Sequence, residues 1–398
     1  MTQNIYPTVR LRPNAAVQAI RQGFPWIYNN ELVLDRRSKK LPAGSVVIVE
    51  DCERRPIGLG GINPDSKIAV RILDRDIEAE IDQTWFLKRL NTALHLREVL
   101  FEQPFYRLVH AEADGMPGVI IDRFGSLAVV QPNAAWAEML LAVLSQALLE
   151  VEGITCVLKN AGGRSRAFEG LDSRNDILIG EPPETTVDVP MNGAVYKADL
   201  ISGQKTGLYF DQRPNHAFAS SLAKGRTVLD VFSHVGGFSL AALAAGAQSA
   251  LAVDGSAAAL DLAMQGAVAS GVVEKFETQK GDAFAQLSAL AEAGEKFGLV
   301  ICDPPAFASS KPALEAGLRA YEKVARLAAH LVEEGGFLVL CSCSHAADLV
   351  KFRTACNRGI GRAGRSAQLF HTGFAGADHP LHPQLAESGY LKALFYRL

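Results

Sequence analysis

Short apolar runs recur at intervals along residues 226–398, and segments with helical spacing separate them. The runs predict strands at 227–232, 250–254, 274–279, 298–302 and 336–342. The segments between them predict helices at 257–270, 283–293 and 314–334. Two later β-like pieces, 367–373 and 389–397, predict an edge hairpin. Because runs that are apolar throughout are typical of strands covered on both faces, the alternation predicts a doubly wound, parallel α/β sheet.

The first 185 residues show other patterns. Residues 1–77 contain two β-branched runs with Gly58, Gly60 and Gly61 between them, which is typical of a small barrel-like module. Residues 78–185 combine two helical patterns with a strand pair, which is typical of an α+β block. We therefore predict three domains, at 1–77, 78–185 and 186–398.

Composition narrows the class of protein. Apolar residues make up 48% of the chain and charged residues 21%, which is typical of a folded globular protein. None of the six cysteines forms a CxxC pair, so neither a zinc site nor a disulfide framework is predicted. We see no secretion signal and no run of about 18 uncharged apolar residues. A cytoplasmic protein without membrane contact is expected.

Charge is distributed unevenly along the chain. The net charge of −3 argues against a protein that coats nucleic acid with positive charge. The first 77 residues nevertheless carry 12 Lys and Arg against 8 Asp and Glu. Arg36, Arg37, Lys39 and Lys40 form a basic run, which is either a solvated loop or a patch that contacts phosphates.

A glycine turn follows the first strand of the predicted α/β sheet. A strand, a tight turn and the start of an Ala-rich helix are contained in Val228-Leu229-Asp230-Val231-Phe232-Ser233-His234-Val235-Gly236-Gly237-Phe238-Ser239. The glycines allow a sharp bend and the close approach of a ligand, and the helix start offers unpaired N–H groups. Nucleotide-like cofactors bind at such turns. Similar turns also bind NAD or only pack, so the turn alone does not identify the ligand.

Acidic residues follow the next two predicted strands. Asp254 ends the second strand, 18 residues after Gly236, where a carboxylate can accept hydrogen bonds from ribose hydroxyls. Asp282 follows the third strand, where it can bind an adenine amine. Each acid alone could equally be a helix N-cap. Their positions at successive strand ends favour an adenosine site.

The fourth strand ends in Val300-Ile301-Cys302-Asp303-Pro304-Pro305-Ala306-Phe307. Two prolines directly after Asp303 keep the backbone extended and hold the acid at the carboxyl edge of the sheet. A purely structural turn is the alternative. Enzymes that methylate planar bases need such a segment, because a flipped ring must be held against the donor methyl group.

The fifth strand ends in Leu340-Cys341-Ser342-Cys343-Ser344. A strand cysteine is commonly a small apolar residue. At a methyl-donor site, however, a thiolate can add to carbon 6 of a pyrimidine, so that carbon 5 becomes able to attack a sulfonium methyl group. Loss of the carbon-5 proton then releases the cysteine. This chemistry needs a thiol of low pKa and an acid near the ring nitrogen, which Cys343 and Asp303 could supply.

These segments resemble the bacterial RlmI-type family of class I, S-adenosylmethionine-dependent 23S rRNA 5-cytosine methyltransferases. The resemblance covers nearly the whole chain, and its most specific signature is Gly203-Gln204-Lys205-Thr206-Gly207 with Asp211-Gln212-Arg213. Residues 23–28 resemble part of an RNA-binding PUA domain, and residues 106–118 resemble the central domain of the family. The resemblance implies a Rossmann-like methyltransferase domain, preceded by a β-rich PUA-like domain and a central α+β domain.

The resemblance also implies roles for matching residues. Asp303 and Cys343 would be catalytic, because Ser342-Cys343-Ser344 is in register with the Thr-Cys-Ser motif of RNA 5-cytosine methyltransferases; Cys341 would be a neighbour. The residues implied to bind S-adenosylmethionine are Phe210, Asp211, Phe232, Ser233, Gly236, Gly237, Asp254 and Asp282. The chain departs from the family at His234 and His216, where Tyr and Arg are frequent.

The implied partner is RNA, either 23S rRNA or a precursor of the large subunit. Two alternatives stay open: an N-methyltransferase that acts on an RNA base through Asp303-Pro304-Pro305 without a cysteine, and a non-catalytic RNA-binding or ribosome-assembly factor. A nicotinamide-dependent dehydrogenase is a more distant third. The oligomeric state is open, with a homodimer as one option.

Overall fold

The protein is described by a computed structural model that covers residues 6–201 and 207–398. Residues 203–206 of the family signature lie outside the described residues. The chain forms two compact units. Unit 1 contains the described residues of Met1–Thr185, Asp199–Gly207 and Ala377–Ser388, and unit 2 contains Thr186–Ala198, Leu208–Gly376 and Gly389–Leu398. The division into three domains stays a prediction.

A five-stranded sheet forms the N-terminal part of unit 1. Its elements are β1 (Thr8–Arg10), α1 (Val17–Arg21), β2 (Trp26–Tyr28), β3 (Val46–Glu50), β4 (Pro56–Ile62) and β5 (Ile68–Asp74). The strand order is β1-β3-β4-β5-β2, with β1 parallel to β3 and the other pairs antiparallel. Apolar side chains such as Ile27, Val47 and Val70 are fully buried in its core. The β-rich character predicted for this segment is confirmed.

A second five-stranded sheet completes unit 1. Its elements are α2 (Gln83–Leu100), β6 (Phe105–His110), β7 (Val119–Phe124), β8 (Leu127–Pro132), α3 (Ala135–Met139), α4 (Leu141–Leu149), β9 (Cys156–Lys159), α5 (Arg164–Phe168) and β10 (Asp176–Ile179). The strand order is β10-β9-β8-β7-β6. Helix α2 begins at the N-cap Asp82, and its Phe86 ring stacks on Trp136 at 6.0 Å between centroids. The predicted α+β character is confirmed.

A buried polar cluster joins the segment 377–388 to the rest of unit 1. Asp378 accepts a hydrogen bond from the Arg107 backbone N–H at 3.0 Å, and its Oδ1 lies 2.9 Å from His379 Nδ1. The Arg97 guanidinium donates to the Asp378 carbonyl at 2.9 Å and also pairs with Asp114. Because burial is the main cause that lowers the pKa of the neighbouring His110 to about 2, that ring stays neutral.

Unit 2 is an α/β fold with a seven-stranded sheet. Its elements are β11 (Val187–Met191), β12 (Ala194–Ala198), α6 (Arg213–Ser221), β13 (Thr227–Val231), α7 (Gly237–Ala244), β14 (Ser249–Asp254), α8 (Ala257–Ala269), β15 (Phe276–Lys280), α9 (Ala283–Glu292), β16 (Phe297–Cys302), α10 (Leu314–Leu331), β17 (Val332–Ser342), α11 (Leu349–Arg362), β18 (Gln368–Gly373) and β19 (Lys392–Arg397). Strands β11 and β12 form a separate hairpin.

The large sheet has the strand order β15-β14-β13-β16-β17-β19-β18. The five strands from β15 to β17 are parallel, and β19 is antiparallel to both β17 and β18. The chain leaves β13 first towards β15 and later towards β17, so the sheet has a topological switch point at β13. Ligands of open α/β sheets bind beyond the carboxyl ends of the strands at such a point. The predicted parallel sheet and edge hairpin are confirmed.

Several boundaries differ from the prediction by a few residues, and the largest difference is at the junction of α10 and β17. Helix α10 ends at Leu331 rather than at 334, and β17 already begins at Val332. Val332 pairs with Phe297, and after a register shift the ladder resumes at Phe337 opposite Leu299. Gly335 lies in this irregular stretch with φ +73°, and its N–H donates to the Leu398 carbonyl. The sheet partners therefore extend the strand through a glycine pair that local sequence predicts as a break.

Candidate active site

The carboxyl ends of five adjacent parallel strands bring the sequence-selected residues to one edge of the sheet. The turn at 232–237 follows β13, Asp254 ends β14, Asp282 lies beyond β15, Asp303 follows β16, and Cys343 follows β17. This grouping follows from the crossover connections, which return every parallel strand to the same edge.

The turn after β13 is strained and tightly packed. Phe232 and His234 have φ values of 64° and 50°, and Gly236 has a φ of 77°. A Cβ at Gly237 would lie 2.6 Å from Cε1 of His216, so the space beside this glycine is filled by a side chain of the protein. The absent side chain at Gly237 thus makes room for His216, and Gly237 can contact a ligand only through its backbone. Strain of this kind is frequent where a site is preorganised.

Asp230 lies in β13 beneath the turn and is fully buried. Its Oδ2 accepts hydrogen bonds from the Ser239 hydroxyl at 2.6 Å and the Ser239 N–H at 3.0 Å. Its Oδ1 has no hydrogen-bond partner among the described residues. Burial, together with the charge of Asp254, raises the pKa of Asp230 to about 6, although the Ser239 bonds oppose the shift. A buried carboxylate oxygen without a partner calls for a polar or cationic ligand.

The two candidate adenosine acids make local hydrogen bonds to the backbone. Asp254 accepts from the His234 N–H through Oδ2 at 2.9 Å and from the Ser256 N–H through Oδ1 at 2.8 Å. These bonds fix the carboxylate against the glycine turn. Asp282 is exposed and caps α9 by accepting from the Ala285 N–H at 3.0 Å. The N-cap geometry is therefore present at Asp282, and a role in donor binding stays a prediction.

The residues before α6 lie against the C-terminal part of unit 2. Phe210 is buried, and its ring faces the Arg213 guanidinium at 5.3 Å. Asp211 accepts a hydrogen bond from the Tyr390 hydroxyl at 2.7 Å through Oδ2, whereas its Oδ1 is buried without a hydrogen-bond partner among the described residues. The charge of Asp211 also favours the protonated form of His216, which burial keeps neutral by lowering its pKa to about 3. Asp211 and His216 thus connect this segment electrostatically to the turn after β13.

A buried hydrogen-bond network joins the segment after β16 to the segment after β17. Ser344 Oγ accepts from the Ala308 N–H at 3.0 Å and lies 2.7 Å from the Tyr321 hydroxyl of α10. Ser342 Oγ donates to the same Tyr321 hydroxyl at 2.9 Å. Because burial raises the pKa of Tyr321 to about 12, the phenol stays protonated. The network therefore fixes the backbone on both sides of Cys343 relative to the Asp303-Pro304-Pro305 segment.

The two cysteines of this segment have different environments. Cys341 is 1% exposed, and burial followed by the negative charge of Asp303 raises the pKa of its thiol well above the ordinary value. Cys343 is only half-buried. A nucleophile must be reachable by its substrate and form a thiolate, so the environment of Cys343 suits nucleophilic chemistry better than that of Cys341.

Comparison with protein-family models gives two matches. Residues 9–75 match the model of a PUA-like domain, and residues 157–397 match the model of an S-adenosylmethionine-dependent methyltransferase. A protein of Aliivibrio fischeri named ribosomal RNA large subunit methyltransferase I is 34% identical over 389 residues, covering 96% of this chain and 97% of the relative. The chain belongs to this methyltransferase family. A relative of the same name from Klebsiella pneumoniae is 31% identical over the full length of both chains.

Solved structures of similar fold agree with the family. A protein described as a SAM-dependent methyltransferase from Streptococcus mutans has a TM-score of 0.81 at 18% identity, covering 98% of this chain and 100% of that chain. Another methyltransferase structure, complexed with SAH, has a TM-score of 0.82 at 19% identity, covering 99% and 100% of the two chains. These likenesses show the fold. Membership of the methyltransferase family makes S-adenosylmethionine the cofactor and excludes the dehydrogenase interpretation.

The residues at the strand edge fit this cofactor. S-adenosylmethionine carries an ammonium group, a carboxylate, ribose hydroxyls and an adenine amine. Asp230 Oδ1 and Ser233 Oγ are buried polar atoms for which the described residues supply no hydrogen-bond partner, and they lie under and within the turn. The site therefore offers acceptors and donors of the kinds that the methionine end of the cofactor needs.

Three residues of this site escaped the sequence analysis. Asp230 lies inside an apolar strand, where an acid is rarely tolerated, and that oddity was the available signal. In the sequence, His216 stands out only as a departure from the family, and its packing on Gly237 depends on a contact between two helices. Tyr321 lies in the middle of α10, and nothing in its local pattern distinguishes it from an ordinary core residue.

Two further properties concern the described residues as a whole. No helix within 6–201 or 207–398 is long and apolar enough to cross a membrane. The same ranges contain no cluster of three or more His, Cys, Asp or Glu side chains that could hold a metal ion.

Proposed function

We propose that this protein transfers a methyl group from S-adenosylmethionine to carbon 5 of a cytosine in 23S rRNA, with Cys343 as the covalent nucleophile. One observation carries the proposal. Asp303 and Cys343 follow adjacent parallel strands, and the Ala308–Ser344 hydrogen bond ties their two segments together. An acid and a half-buried thiol are thereby held at the edge of the sheet where the methyl donor binds.

The chemistry assigns one role to each of these residues. The Cys343 thiolate would add to carbon 6 of the cytosine. Asp303, as the carboxylic acid, would donate its proton to N3 and accept a hydrogen bond from the exocyclic amine, so that carbons 4 and 5 form an enamine. The cofactor supplies an electrophilic methyl group, which carbon 5 can attack once carbon 6 carries the thiolate. Carbon 5 then loses its proton to solvent water acting as the base, the carbon–sulfur bond to Cys343 breaks to regenerate the thiolate, and the N3 proton returns to Asp303. Each step conserves atoms and electrons, and the enzyme ends unchanged.

Donor binding would use the residues around the turn. Phe232, Ser233, Gly236 and Gly237 would border the methionine end. Asp254 would accept from the ribose, Asp282 would bind the adenine amine, and Phe210 and Asp211 would border the donor from the segment before α6. The hydrogen bonds of Asp254 to the backbone support its assignment, because they hold the carboxylate in one orientation. We add Asp230, whose Oδ1 would accept from the ammonium group of the donor.

RNA binding would involve the PUA-like segment of unit 1. Arg36, Arg37, Lys39 and Lys40 are all exposed there, as a surface that contacts phosphates requires. Phe24 lies near the rings of Trp26 and Tyr28, at 6.2 Å and 6.4 Å between centroids. Tyr28 is exposed, and Phe24 and Trp26 are half-buried, so these rings offer partly accessible surfaces on which unpaired bases can stack. The relatives named ribosomal RNA large subunit methyltransferase I make large-subunit rRNA the expected substrate.

The decisive experiment compares Cys343→Ala with Cys341→Ala. We expect Cys343→Ala to abolish methylation of carbon 5 in rRNA while S-adenosylmethionine binding persists, and Cys341→Ala to retain most activity. Methylated cytosines are mapped in 23S rRNA from cells that lack the protein and carry either variant. Full activity of Cys343→Ala would contradict the covalent mechanism and favour N-methylation. Absence of any rRNA methylation by the wild-type protein would favour the assembly-factor alternative.

A mechanism-based trap provides a second test. RNA that contains 5-fluorocytidine cannot release a proton from carbon 5, so the adduct with the cysteine cannot resolve. We expect a complex that survives denaturing electrophoresis and requires both S-adenosylmethionine and Cys343. A trapped complex that persists in Cys343→Ala and disappears in Cys341→Ala would identify Cys341, rather than Cys343, as the nucleophile.

A further inference from the structure

Lys392 is a buried lysine at the start of β19, in the strand that is antiparallel to β17. Lys392 is only 4% exposed. In the ladder it lies opposite Ser342, the residue before Cys343. Its ammonium group donates to the Ser344 carbonyl and to the Ala347 carbonyl, both at 2.8 Å. Lysine is rarely buried without a carboxylate, so its presence here needs an explanation.

The two carbonyl bonds hold the backbone that follows β17. Ser344 is bound on its other side by Tyr321 and Ala308 through its hydroxyl group. The segment that carries Cys343 is therefore fixed from α10 on one side and from β19 on the other. If Lys392 only filled space, an apolar residue at this position would give a more stable protein, because burying an ammonium group is costly.

The charge of Lys392 acts on Cys343. Burial lowers the pKa of Lys392, and negative charge on Cys343 and on Asp348 opposes that shift. The interaction is reciprocal, so the ammonium group favours the thiolate of Cys343. Other titratable groups near this segment are Tyr321 from α10, which stays protonated, and Asp303 at the end of β16, whose negative charge disfavours a thiolate at the neighbouring Cys341. The segment itself carries His345, whose ring lies 5.5 Å from that of Tyr390. Of these groups, Lys392 is the one whose ammonium group is held at the backbone beside Cys343 by two hydrogen bonds.

Resting on the proposed function, we propose that Lys392 is a positioning residue of the methyl-transfer reaction: it holds the backbone on which Cys343 lies, and its positive charge stabilises the thiolate. The residue comes from the last strand of the chain and needs no contact with RNA or donor for this role. It acts through Cys343, so its effect is present before any substrate binds.

Three substitutions separate the effect of the two hydrogen bonds to the backbone from the effect of the positive charge. Lys392→Arg keeps the positive charge. Lys392→Gln keeps a hydrogen-bond donor for one carbonyl without the charge, and Lys392→Met removes both. The readout is the rate at which iodoacetamide alkylates Cys343 as a function of pH, measured by mass spectrometry of the peptide that contains it, without RNA or cofactor. We expect the Gln and Met variants to react about tenfold more slowly at pH 7 and to need a higher pH, with Arg close to wild type.

The matched control is Lys159→Met in unit 1, another buried lysine, whose Nζ bonds Glu138 and whose exposure is 8%. It is expected to change thermal stability without changing the alkylation profile of Cys343. Unchanged alkylation of Cys343 in Lys392→Gln, with a folded protein by circular dichroism, would overturn the proposal. If Lys392→Met fails to fold, the Gln and Arg pair still decides.

The alkylation and methylation assays together distinguish this proposal from the proposed function. A shifted alkylation profile together with full methylation by Cys343→Ala would show that Lys392 activates the Cys343 thiol, but it would reject both the covalent mechanism and the part of Lys392 in methyl transfer. An unshifted alkylation profile together with loss of methylation in Cys343→Ala would reject the role of Lys392 and support the covalent mechanism. In the methylation assay, the proposal expects Lys392→Gln to lose activity at pH 7 and to regain part of it at higher pH, which a purely structural defect would not show.

Discussion

Replacing Asp230 by Asn should make the protein more stable at alkaline pH while it loses its cofactor. Asp230 is fully buried, and burial raises its pKa from 3.8 to about 6. Each pKa unit between the folded and unfolded states corresponds to about 1.4 kcal/mol, so the ionised carboxylate costs the fold about 3 kcal/mol above pH 7. The Asn amide leaves one buried polar group without a partner, which offsets about 1–2 kcal/mol of that gain.

The difference in unfolding free energy between Asp230→Asn and the wild-type protein depends on pH, and the raised pKa of Asp230 sets its sign. Between about pH 4 and pH 6 the folded wild-type protein binds more protons at this site than the unfolded chain does, so its stability falls as the pH rises. Asn does not titrate. The free energy of unfolding of Asp230→Asn relative to wild type should therefore increase by about 3 kcal/mol from pH 4 to pH 8, and the variant should be the less stable protein at the acidic end.

The assay must report on unit 2. All three tryptophans, Trp26, Trp85 and Trp136, lie in unit 1, so their fluorescence follows that unit. Urea unfolding is therefore followed by far-ultraviolet circular dichroism for the whole chain, with tryptophan fluorescence as the internal reference. Asp282→Asn is the matched control, because its carboxylate is exposed and the amide can still cap α9. It should show no comparable pH dependence.

Cofactor binding supplies the second half of this prediction. S-adenosylmethionine at a hundredfold excess over its dissociation constant stabilises the wild-type protein by about 2.7 kcal/mol. Asp230→Asn should lose most of this stabilisation, because the amide cannot pair with an ammonium group as a carboxylate does. A stability difference that is independent of pH would refute the reasoning about burial, and undiminished stabilisation by the cofactor would refute the assignment of Asp230 to the donor site.

Three further predictions test packing and buried polar contacts. Gly237→Ala should cost about 1–3 kcal/mol of unfolding free energy, because its Cβ would overlap His216, and the double variant with His216→Ala should cost less than the sum of the single changes. Tyr321→Phe should cost about 1–3 kcal/mol in urea unfolding, because two buried serine hydroxyls each lose one hydrogen bond. Tyr396→Phe should cost less, because its partner Asn357 is exposed, and equal costs would contradict this. Asp378→Ala should cost about 3 kcal/mol in unit 1, read by tryptophan fluorescence, and an unchanged midpoint would show that the buried cluster does not hold the segment 377–388.

The order of elements in unit 2 could be predicted from the sequence with good accuracy. Apolar strands alternate with helical segments, and right-handed crossovers place the ends of parallel strands at one edge of the sheet. Asp254, Asp282, Asp303 and Cys343 each end or follow such a strand, so their common location needed no knowledge of packing. The start of β17 was predicted four residues late, because Val332 joins the sheet through pairing with Phe297 rather than through local preference.

The sequence by itself determined the fold class and the edge of the sheet where chemistry can occur, because hydrophobic periodicity and the order of elements can be recognised from local patterns. The cofactor was implied by the resemblance of the chain to a methyltransferase family. Only the tertiary structure decided how that edge is supported. His216 fills the space beside Gly237, Tyr321 joins the two strand ends, and Lys392 returns from the last strand to the backbone beside Cys343. These contacts link residues 21 to 48 positions apart in the chain. They depend on which side chains meet when the helices and the antiparallel edge pack on the sheet, and no local pattern contains that information.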